Sequence, residues 1–448
     1  MLKVCNGGEC RVPVFDVLSF GAVGDGVTND GRAIQRAIDA CAAAGGGTVF
    51  VPAGKTYLSG TVRLASFVDL HVEGGARIIA SDRRRDYPND ALRCLIEAYD
   101  ASGIALTGTG VIDGRAKRFM TAELPHIYRG NDWRPRLVGF VGCRGVTVRD
   151  ITLADAANWA LHPAGCEDVV ISGVRILNDL KVPNCDGIDP DRCRNVRISD
   201  CLIQAGDDCI CLKTSGEFPQ YGPCENVTVR GCTLVSTSAA VKIGSGTVAD
   251  LRDIVFDGCV IRASNRGLGI QLRDGGNVEN VLFTNMTVET RLFHEDWWGG
   301  GEPIYVTAVP REAGAKVGAV RNVRFTNILC RGEGGVFIAA QDPGRIENVL
   351  LENVRVEINK WTKWRGGRHD LRPTGGDRRT GISDHRTAGF YVERAEGVTL
   401  RNCEVAWGAN RPDYFGHALE AHSAEGLAVE NFRGEAAHPD RDASTFMD

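Results

Sequence analysis

The sequence contains no apolar run long enough to cross a membrane, no C-x-x-C pair and no excess of basic residues. The first absence excludes a predicted transmembrane helix. The second argues against a structural zinc site, which usually pairs cysteines at that spacing. The formal net charge of −5 does not provide the basic surface that nucleic-acid binding requires. We therefore expect no membrane partner, no nucleic-acid partner and no metal.

The amino terminus lacks the apolar segment and the small-residue cleavage site of a secretory signal peptide. This absence predicts a cytoplasmic protein, in which the 16 cysteines would remain free thiols. Many of them lie in strand-like runs, where cysteine behaves as a small buried hydrophobe. Two pairs remain candidates for a disulfide bond or for reactive thiols: Cys5 with Cys10, and Cys185 with Cys209.

Residues 1–60 differ from the rest and are predicted to form an N-terminal cap and first coil. Phe15–Phe20 has the composition of a strand, and the glycine-rich segment after it indicates a turn. Asn29 or Asp30 is expected to cap a helix. One apolar face of this helix, at i, i+3, i+4 and i+7, consists of Ile34, Ala37, Ile38 and Cys41.

A short strand pattern recurs along residues 100–435, with alternating Val or Ile and an Asn, Cys or Gly turn position. Most of its repeats begin at a nearly constant interval, with a few longer gaps between them. Such a period predicts stacked coils that bury one continuous apolar row, and asparagines at the turns can form a ladder. We predict an all-β fold, a right-handed parallel β-helix that forms one domain over residues 1–448. The alternative is an antiparallel sandwich, which needs no fixed period.

Two long intervals predict inserted loops at residues 290–321 and 359–389. In a solenoid such insertions emerge on one face, often the binding face. Both loops are rich in Trp, Arg, His and Gly, which suits carbohydrate recognition because aromatic faces stack on sugar rings. The alternative is that these tryptophans pack the loops against the coils. The residues expected nearest a terminal sugar are Trp297, Trp298, Glu302, Trp361, Trp364 and Arg368.

Two neighbouring coils carry clustered aspartates, in NCDGIDPD at residues 184–191 and in GDDCICLK at residues 206–213. The spacing from Asp186 to Asp207 is close to one coil, so stacking would bring Asp186 near Asp207 and Asp208. Crowded carboxylates raise at least one pKa and place an acid beside a base, as glycoside hydrolysis requires. Turn-forming aspartates and a Ca²⁺ site are the alternatives.

NCDGIDP and GDDCICLK resemble the N-T-D and G-D-D motifs of glycoside hydrolase family 28, the polygalacturonase family. The segment from FDVLSFGAVGDGVTND to GGGTVFVPAG also resembles the N-terminal region of many of its members. The resemblance implies a right-handed parallel β-helix that hydrolyses glycosidic bonds with inversion and without a metal or other cofactor. It assigns the catalytic positions to Asp186, Asp207 and Asp208. We expect Asp208 to be the general acid and the other two to activate water.

Two departures from the family concern the substrate. Ala239 stands where the family has the histidine of G-H-G, and Gly269 and Gln271 stand where it has the cations of R-I-K, which help to bind a uronate. Other cations could replace the lost ones, or the sugar could differ. Candidate substrate-binding residues besides those of the loops are Asn184, Asp189, Lys213, Lys242, Arg266, Gln271 and Arg273.

The leading hypothesis is an inverting glycosidase, exo-acting on plant-cell-wall (pectin-type) or related oligosaccharides and weak on plain polygalacturonate. A β-helix polysaccharide lyase or a fructotransferase-type enzyme is the second hypothesis. A non-catalytic carbohydrate-binding β-helix is the third, because the histidine and R-I-K motifs are missing. An oligosaccharide is the expected partner, and the oligomeric state stays open.

Overall fold

The computed structural model of the protein describes residues 12–88, 92–294, 297–312, 314–372 and 380–448. Cys5 and Cys10 lie outside these residues. The described residues form one α-helix, α1 (Gly31–Ala43), three 3₁₀ turns and 40 strands. In chain order the strands are β1 (Val14–Asp16), β2 (Asp25–Asn29), β3 (Gly47–Val51), β4 (Thr56–Ser59), β5 (Val62–Arg63), β6 (Val68–Val72), β7 (Arg77–Ala80), β8 (Cys94–Tyr99), β9 (Ala105–Thr107), β10 (Val111–Asp113), β11 (Met120–Glu123), β12 (Tyr128–Gly130), β13 (Arg136–Val141), β14 (Arg144–Arg149), β15 (Thr152–Ala154), β16 (Leu161–Ala164), β17 (Glu167–Ser172), β18 (Arg175–Leu177), β19 (Arg194–Ser199), β20 (Leu202–Ala205), β21 (Ile210–Thr214), β22 (Cys224–Arg230), β23 (Thr233–Ser236), β24 (Ala239–Thr247), β25 (Leu251–Asp257), β26 (Val260–Ser264), β27 (Arg266–Leu272), β28 (Val278–Thr290), β29 (Ile304–Ala308), β30 (Val320–Gly332), β31 (Val336–Ala340), β32 (Ile346–Ile358), β33 (Arg368–Asp370), β34 (Ile382–Asp384), β35 (Phe390–Glu393), β36 (Thr399–Arg401), β37 (Glu404–Trp407), β38 (Leu419–His422), β39 (Ala428–Glu430) and β40 (Thr445–Met447).

The helix at the N-terminal end follows the predicted pattern. Its four predicted apolar side chains are fully buried against the first coil. Asp30 occupies the N-cap position, but its carboxylate accepts hydrogen bonds from the amides of Val23 and Gly24, not from the helix. The strand predicted over Phe15–Phe20 is wrong for four of its six residues, because Val17–Phe20 forms a 3₁₀ turn. The Asp16 carboxylate caps this turn by accepting a hydrogen bond from the Leu18 amide.

The strands pair in parallel across successive coils, and the register shifts within three of these pairs, β2–β4, β21–β24 and β26–β28. Val227 pairs with Ile254 and Ile254 with Val281, so equivalent positions stack directly above one another. In the described part of the chain, antiparallel pairs occur only as the short hairpins β11–β12 and β33–β34. The stacking confirms the predicted right-handed parallel β-helix and contradicts the sandwich. The division of residues 1–448 into one domain with two insertions stays a prediction.

The interior is a row of inward-facing side chains that alternates with exposed ones. Phe256, Phe283 and Phe325 stack in three successive coils, with ring centroids 5.1 and 4.8 Å apart. Full burial of each ring stabilises the fold by about 1.5–3 kcal/mol. The fourteen described cysteines are all buried free thiols, so Cys185 and Cys209 are not bonded to each other.

Asparagines form the predicted ladders along the turns. In one ladder the side-chain amide of Asn327 donates to Asn285, and Asn353 donates to Asn327, at 3.2 and 2.9 Å. These residues have φ near +55°, a left-handed conformation that asparagine tolerates better than most residues. The ladder therefore satisfies polar groups at each turn while the coils stack.

One face of the solenoid is formed by two short sheets. The first has the order β16-β13-β8-β5, and the second runs β21-β24-β27-β29-β31-β35-β38-β40. Ile188 bridges Leu161 of the first sheet to Ile210 of the second. The aspartate motifs lie at this junction. Among the described residues, no helix has the length and apolar character needed to cross a membrane.

Candidate active site

Coil stacking brings the three predicted aspartates together at the junction. The Gly187 amide donates to the Asp208 carbonyl at 2.8 Å, which aligns the two motifs. One carboxylate oxygen of Asp186 and one of Asp208 lie within 4.8 Å of each other. Together with Asp207 they line a cavity of about 500 Å³ on this face. The predicted proximity of the two aspartate motifs is therefore confirmed.

Two lysines from adjacent coils pair with the aspartates. Lys242 Nζ lies 2.7 Å from Asp208 Oδ2. Lys213 Nζ lies 2.8 Å from Asp189 and 3.4 Å from Asp186, and it sits 3.6 Å from the centre of the Trp159 ring. Each lysine ammonium at the cavity is therefore in contact with at least one aspartate carboxylate.

The two adjacent aspartates have opposite electrostatic environments. Burial, together with the charges of Asp186 and Asp208, raises the pKa of Asp207 well above its ordinary value. Burial also opposes ionisation of Asp208, but the ammonium groups of Lys242 and Lys213 and the Ala239 amide together outweigh it and lower the pKa of Asp208. At a pH between the two pKa values, Asp207 is protonated while Asp208 is ionised.

Each of these two carboxylates also accepts one backbone hydrogen bond. Asp207 accepts from the Asn184 amide at 3.2 Å, and Asp208 accepts from the Ala239 amide at 3.1 Å in addition to Lys242. Burial raises the pKa of Asp186, while Lys213 opposes the shift. The electrostatics favour Asp207 as the proton donor, the reverse of the sequence-based expectation that Asp208 is the acid.

Several predicted substrate-binding residues line the cavity. They are Asn184, Lys213, Lys242, Arg266, Gln271 and Trp298. Lys242 pairs in register with Gly269 on the next coil. Gly269 is one of the two positions at which the R-I-K cations are missing, so a cation is present one coil away from it. Arg266 lies over the Tyr305 ring at 3.7 Å and pairs with Glu302 at 3.2 Å.

Three predicted substrate-binding residues are buried and do not line the cavity. Asp189 is fully buried behind Lys213. Arg273 is 1% exposed, and its guanidinium donates to Thr307 at 3.1 Å. Trp297 is buried, and its indole nitrogen donates to the Thr237 carbonyl at 2.7 Å.

The other loop residues lie beside the cavity or outside it. Glu302 and Arg368 line a small adjoining recess. Trp361 is 40% exposed, with Arg331 over its ring at 5.6 Å, and it does not line the cavity. The Trp364 ring is tilted against the His294 ring, with centroids 4.7 Å apart, and Trp364 is likewise absent from the lining. For these two tryptophans, the alternative of loop packing fits better than sugar contact.

Sequence reasoning missed ten of the lining residues, and three of them, Trp159, Asp274 and Arg311, have large or charged side chains. Trp159 precedes Asp186 by the length of one coil, so coil-length spacing could have found it. Arg311 lies within the first predicted insertion and pairs with Asp274 at 2.8 Å. Its pairing partner is on another coil, and nothing in the local sequence indicates that contact.

Asp186, Asp208 and Cys211 are close enough to share a cation. The ammonium groups of Lys213 and Lys242 already neutralise these carboxylates. A Ca²⁺ ion would have to approach two fixed positive charges, so the residues present do not fit the Ca²⁺ alternative.

The sequence pattern of "Glycosyl hydrolases family 28" matches residues 41–291 of this chain. A probable polygalacturonase of Vitis vinifera is 30% identical over 313 residues, covering 63% of this chain and 62% of that protein. The chain thus spans less than two thirds of that relative's length.

Two solved structures share the fold. A hyperthermoactive exopolygalacturonase from Thermotoga maritima has a TM-score of 0.65 and 25% identity, covering 78% of this chain and 88% of that one. A family 28 exopolygalacturonase from Yersinia enterocolitica has a TM-score of 0.68 and 20% identity, covering 95% of this chain and 78% of that one.

Proposed function

Because the chain belongs to glycosyl hydrolase family 28, we propose that it hydrolyses a glycosidic bond of a pectin-type oligosaccharide with inversion. The observation that carries the proposal is the convergence of three aspartates at one cavity, where the pKa of Asp207 is raised and the pKa of Asp208 is lowered. The names of the polygalacturonase relatives support the substrate class.

In the proposed reaction, Asp207 protonates the leaving glycosidic oxygen while Asp208 and Asp186 orient a water molecule. A water can hydrogen-bond two oxygens up to about 5.6 Å apart. The oxygens of Asp186 and Asp208 lie within 4.8 Å of each other and meet this limit. Deprotonated Asp208 then accepts a proton from the water as it attacks the anomeric carbon.

We also propose that the enzyme acts at chain ends. The two insertions are joined at the edge of the cavity, since Asp370 accepts from the Gly299 amide at 2.7 Å and Arg372 donates to the Trp297 carbonyl. Arg266, which lines the cavity, donates to the Asp370 carbonyl at 3.1 Å. Joined loops beside the site support a closed end, which would accept a terminal sugar and exclude an internal segment.

Product analysis tests this proposal. On a reduced, end-labelled pectin-type oligosaccharide, we expect a single small sugar from the earliest time point, with no ultraviolet-absorbing unsaturated product. Asp207→Asn serves as the inactive control. Early release of mixed longer oligomers would indicate an open groove. An unsaturated product would indicate a lyase, and binding without any product would indicate a carbohydrate-binding protein.

Plain polygalacturonate is expected to be a poor substrate. The four cations that line the cavity are each already paired with a carboxylate: Lys213 with Asp186, Lys242 with Asp208, Arg266 with Glu302 and Arg311 with Asp274. A uronate would have to compete with these ion pairs for its charge-assisted hydrogen bonds. Comparison of kcat/KM on oligogalacturonates and on oligosaccharides with neutral sugars at the chain end measures the preference. Faster cleavage of oligogalacturonates would contradict it.

A further inference from the structure

Three side chains from the last coils converge on the same face as the aspartates but far from them. Glu420 and His422 are two residues apart on β38, so they point to the same side of the strand. His385 lies shortly before β35. The Nε2 atoms of His385 and His422 lie 3.3 and 2.9 Å from the same oxygen, Oε1 of Glu420.

The other nitrogen of each ring also faces an oxygen. His385 Nδ1 lies 2.8 Å from the Arg386 carbonyl, which can only accept, so this nitrogen carries a proton. His422 Nδ1 lies 2.9 Å from both carboxylate oxygens of Asp448. With Nδ1 protonated, a neutral ring directs the lone pair of Nε2 at Glu420. Without an ion between them, these lone pairs would face a carboxylate, unless both rings carry a positive charge.

We propose that His385, Glu420 and His422 bind a divalent transition metal ion, with Zn²⁺ the best fit. A ligating histidine usually donates its second ring N–H to a carbonyl or carboxylate, which is the arrangement of both rings here. In a tetrahedral zinc site, neighbouring ligand atoms are about 3.3 Å apart. The separation of 3.3 Å between His385 and Glu420 matches this value, and a small rotamer change would adjust the 2.9 Å contact.

The charge and exposure of the cluster suit a bound cation. The Glu420 side chain is only 8% exposed, and its Oε1 atom faces the Nε2 atoms of both rings. The side chains of His385 and His422 are 31% and 25% exposed, so an ion can enter from solvent. Three protein ligands leave one tetrahedral position for water or another oxygen ligand.

This site is separate from the proposed reaction. On the shared sheet, β38 is five strands from β24, which carries Lys242. At about 4.8 Å for each strand, the separation is roughly 24 Å. The ion would therefore cross-link the second insertion to the last coils or bind an outer part of a ligand. The inference does not depend on the proposed glycosidase activity.

Metal binding to the full chain, purified without a polyhistidine tag and stripped with a chelator, tests the proposal. We expect equilibrium dialysis against Zn²⁺ to give one ion per chain by elemental analysis. Co²⁺ should give the intense visible bands of a site with four or five ligands. Glu420→Gln and His422→Ala should weaken Zn²⁺ binding at least tenfold. Asp448→Asn, which changes only the partner of His422, should weaken it by about 10- to 100-fold.

His417→Ala is the matched control. His417 lies just before β38, and its Nδ1 contacts the Ala443 carbonyl at 2.7 Å, outside the cluster. It should bind Zn²⁺ as the unchanged protein does. The proposal is overturned if the unchanged protein holds no Zn²⁺, if His417→Ala loses as much as His422→Ala, or if the cluster variants keep full affinity. If a variant fails to fold, the Co²⁺ spectrum of the unchanged protein decides.

Discussion

Asp207→Asn is expected to lower kcat on an oligosaccharide by about 10²- to 10⁴-fold, the usual contribution of a general acid. Burial and two neighbouring carboxylates favour the protonated form of Asp207, which suits it to donate a proton to the leaving oxygen. An aryl glycoside with a nitrophenol leaving group needs no such proton. The loss on that substrate should therefore be much smaller. Steady-state kinetics on both substrates measure the difference.

Asp208→Asn should behave differently. Removal of the proposed base slows attack by water whichever group leaves, so kcat should fall equally on both substrates. Asp168→Asn is the matched control, because it makes the same change on another sheet, where Asp168 accepts from Asn195 at 3.0 Å. If the aryl leaving group rescued Asp208→Asn and not Asp207→Asn, the acid would be Asp208, as the sequence alone suggested.

Lys242→Met should move the acidic limb of the pH–rate profile upward by about one to three pH units. The Lys242 ammonium, 2.7 Å away, lowers the pKa of Asp208. Without it this pKa rises, so the base becomes protonated at a higher pH than before. Activity on the acidic side of the optimum is then lost first, while activity at higher pH is better retained. The measurement is kcat/KM across the pH range on one oligosaccharide.

Lys242→Arg is the control, because it keeps the positive charge beside Asp208. Its acidic limb should stay close to that of the unchanged protein, although its kcat can fall through altered geometry. An acidic limb that does not move in Lys242→Met would show that another group sets it. The proposed role of Asp208 as the base would then be wrong.

The sequence predicts those parts of the fold that depend on local pattern. The buried helix face, the coil period and the turn asparagines follow from residue spacing, and all three are present. Phe15–Phe20 shows the limit of composition. Its last four residues form a 3₁₀ turn, because the Asp16 carboxylate accepts a hydrogen bond from the backbone amide two residues later.

Contacts between coils explain what the sequence could not predict at the site. Asp207 and Asp208 are adjacent in the chain, yet Lys242, 34 residues after Asp208, separates their pKa values. Trp297 and Trp298 are adjacent and of the same residue type, so the sequence alone does not distinguish them. Trp298 lines the cavity, whereas Trp297 is drawn inward by a hydrogen bond to Thr237, 60 residues away.

The aspartates lie midway along the solenoid, with β5, β8, β13 and β16 stacked on one side and β24 to β40 on the other. In a one-dimensional stack, a terminal coil separates by breaking a single interface, whereas a central coil must break two. Heat should therefore fray the protein from its ends inward. The proposed catalytic carboxylates lie far from the coils that unfold first. On heating, turnover should therefore be lost only when the central coils unfold, after strand structure at the ends has been lost.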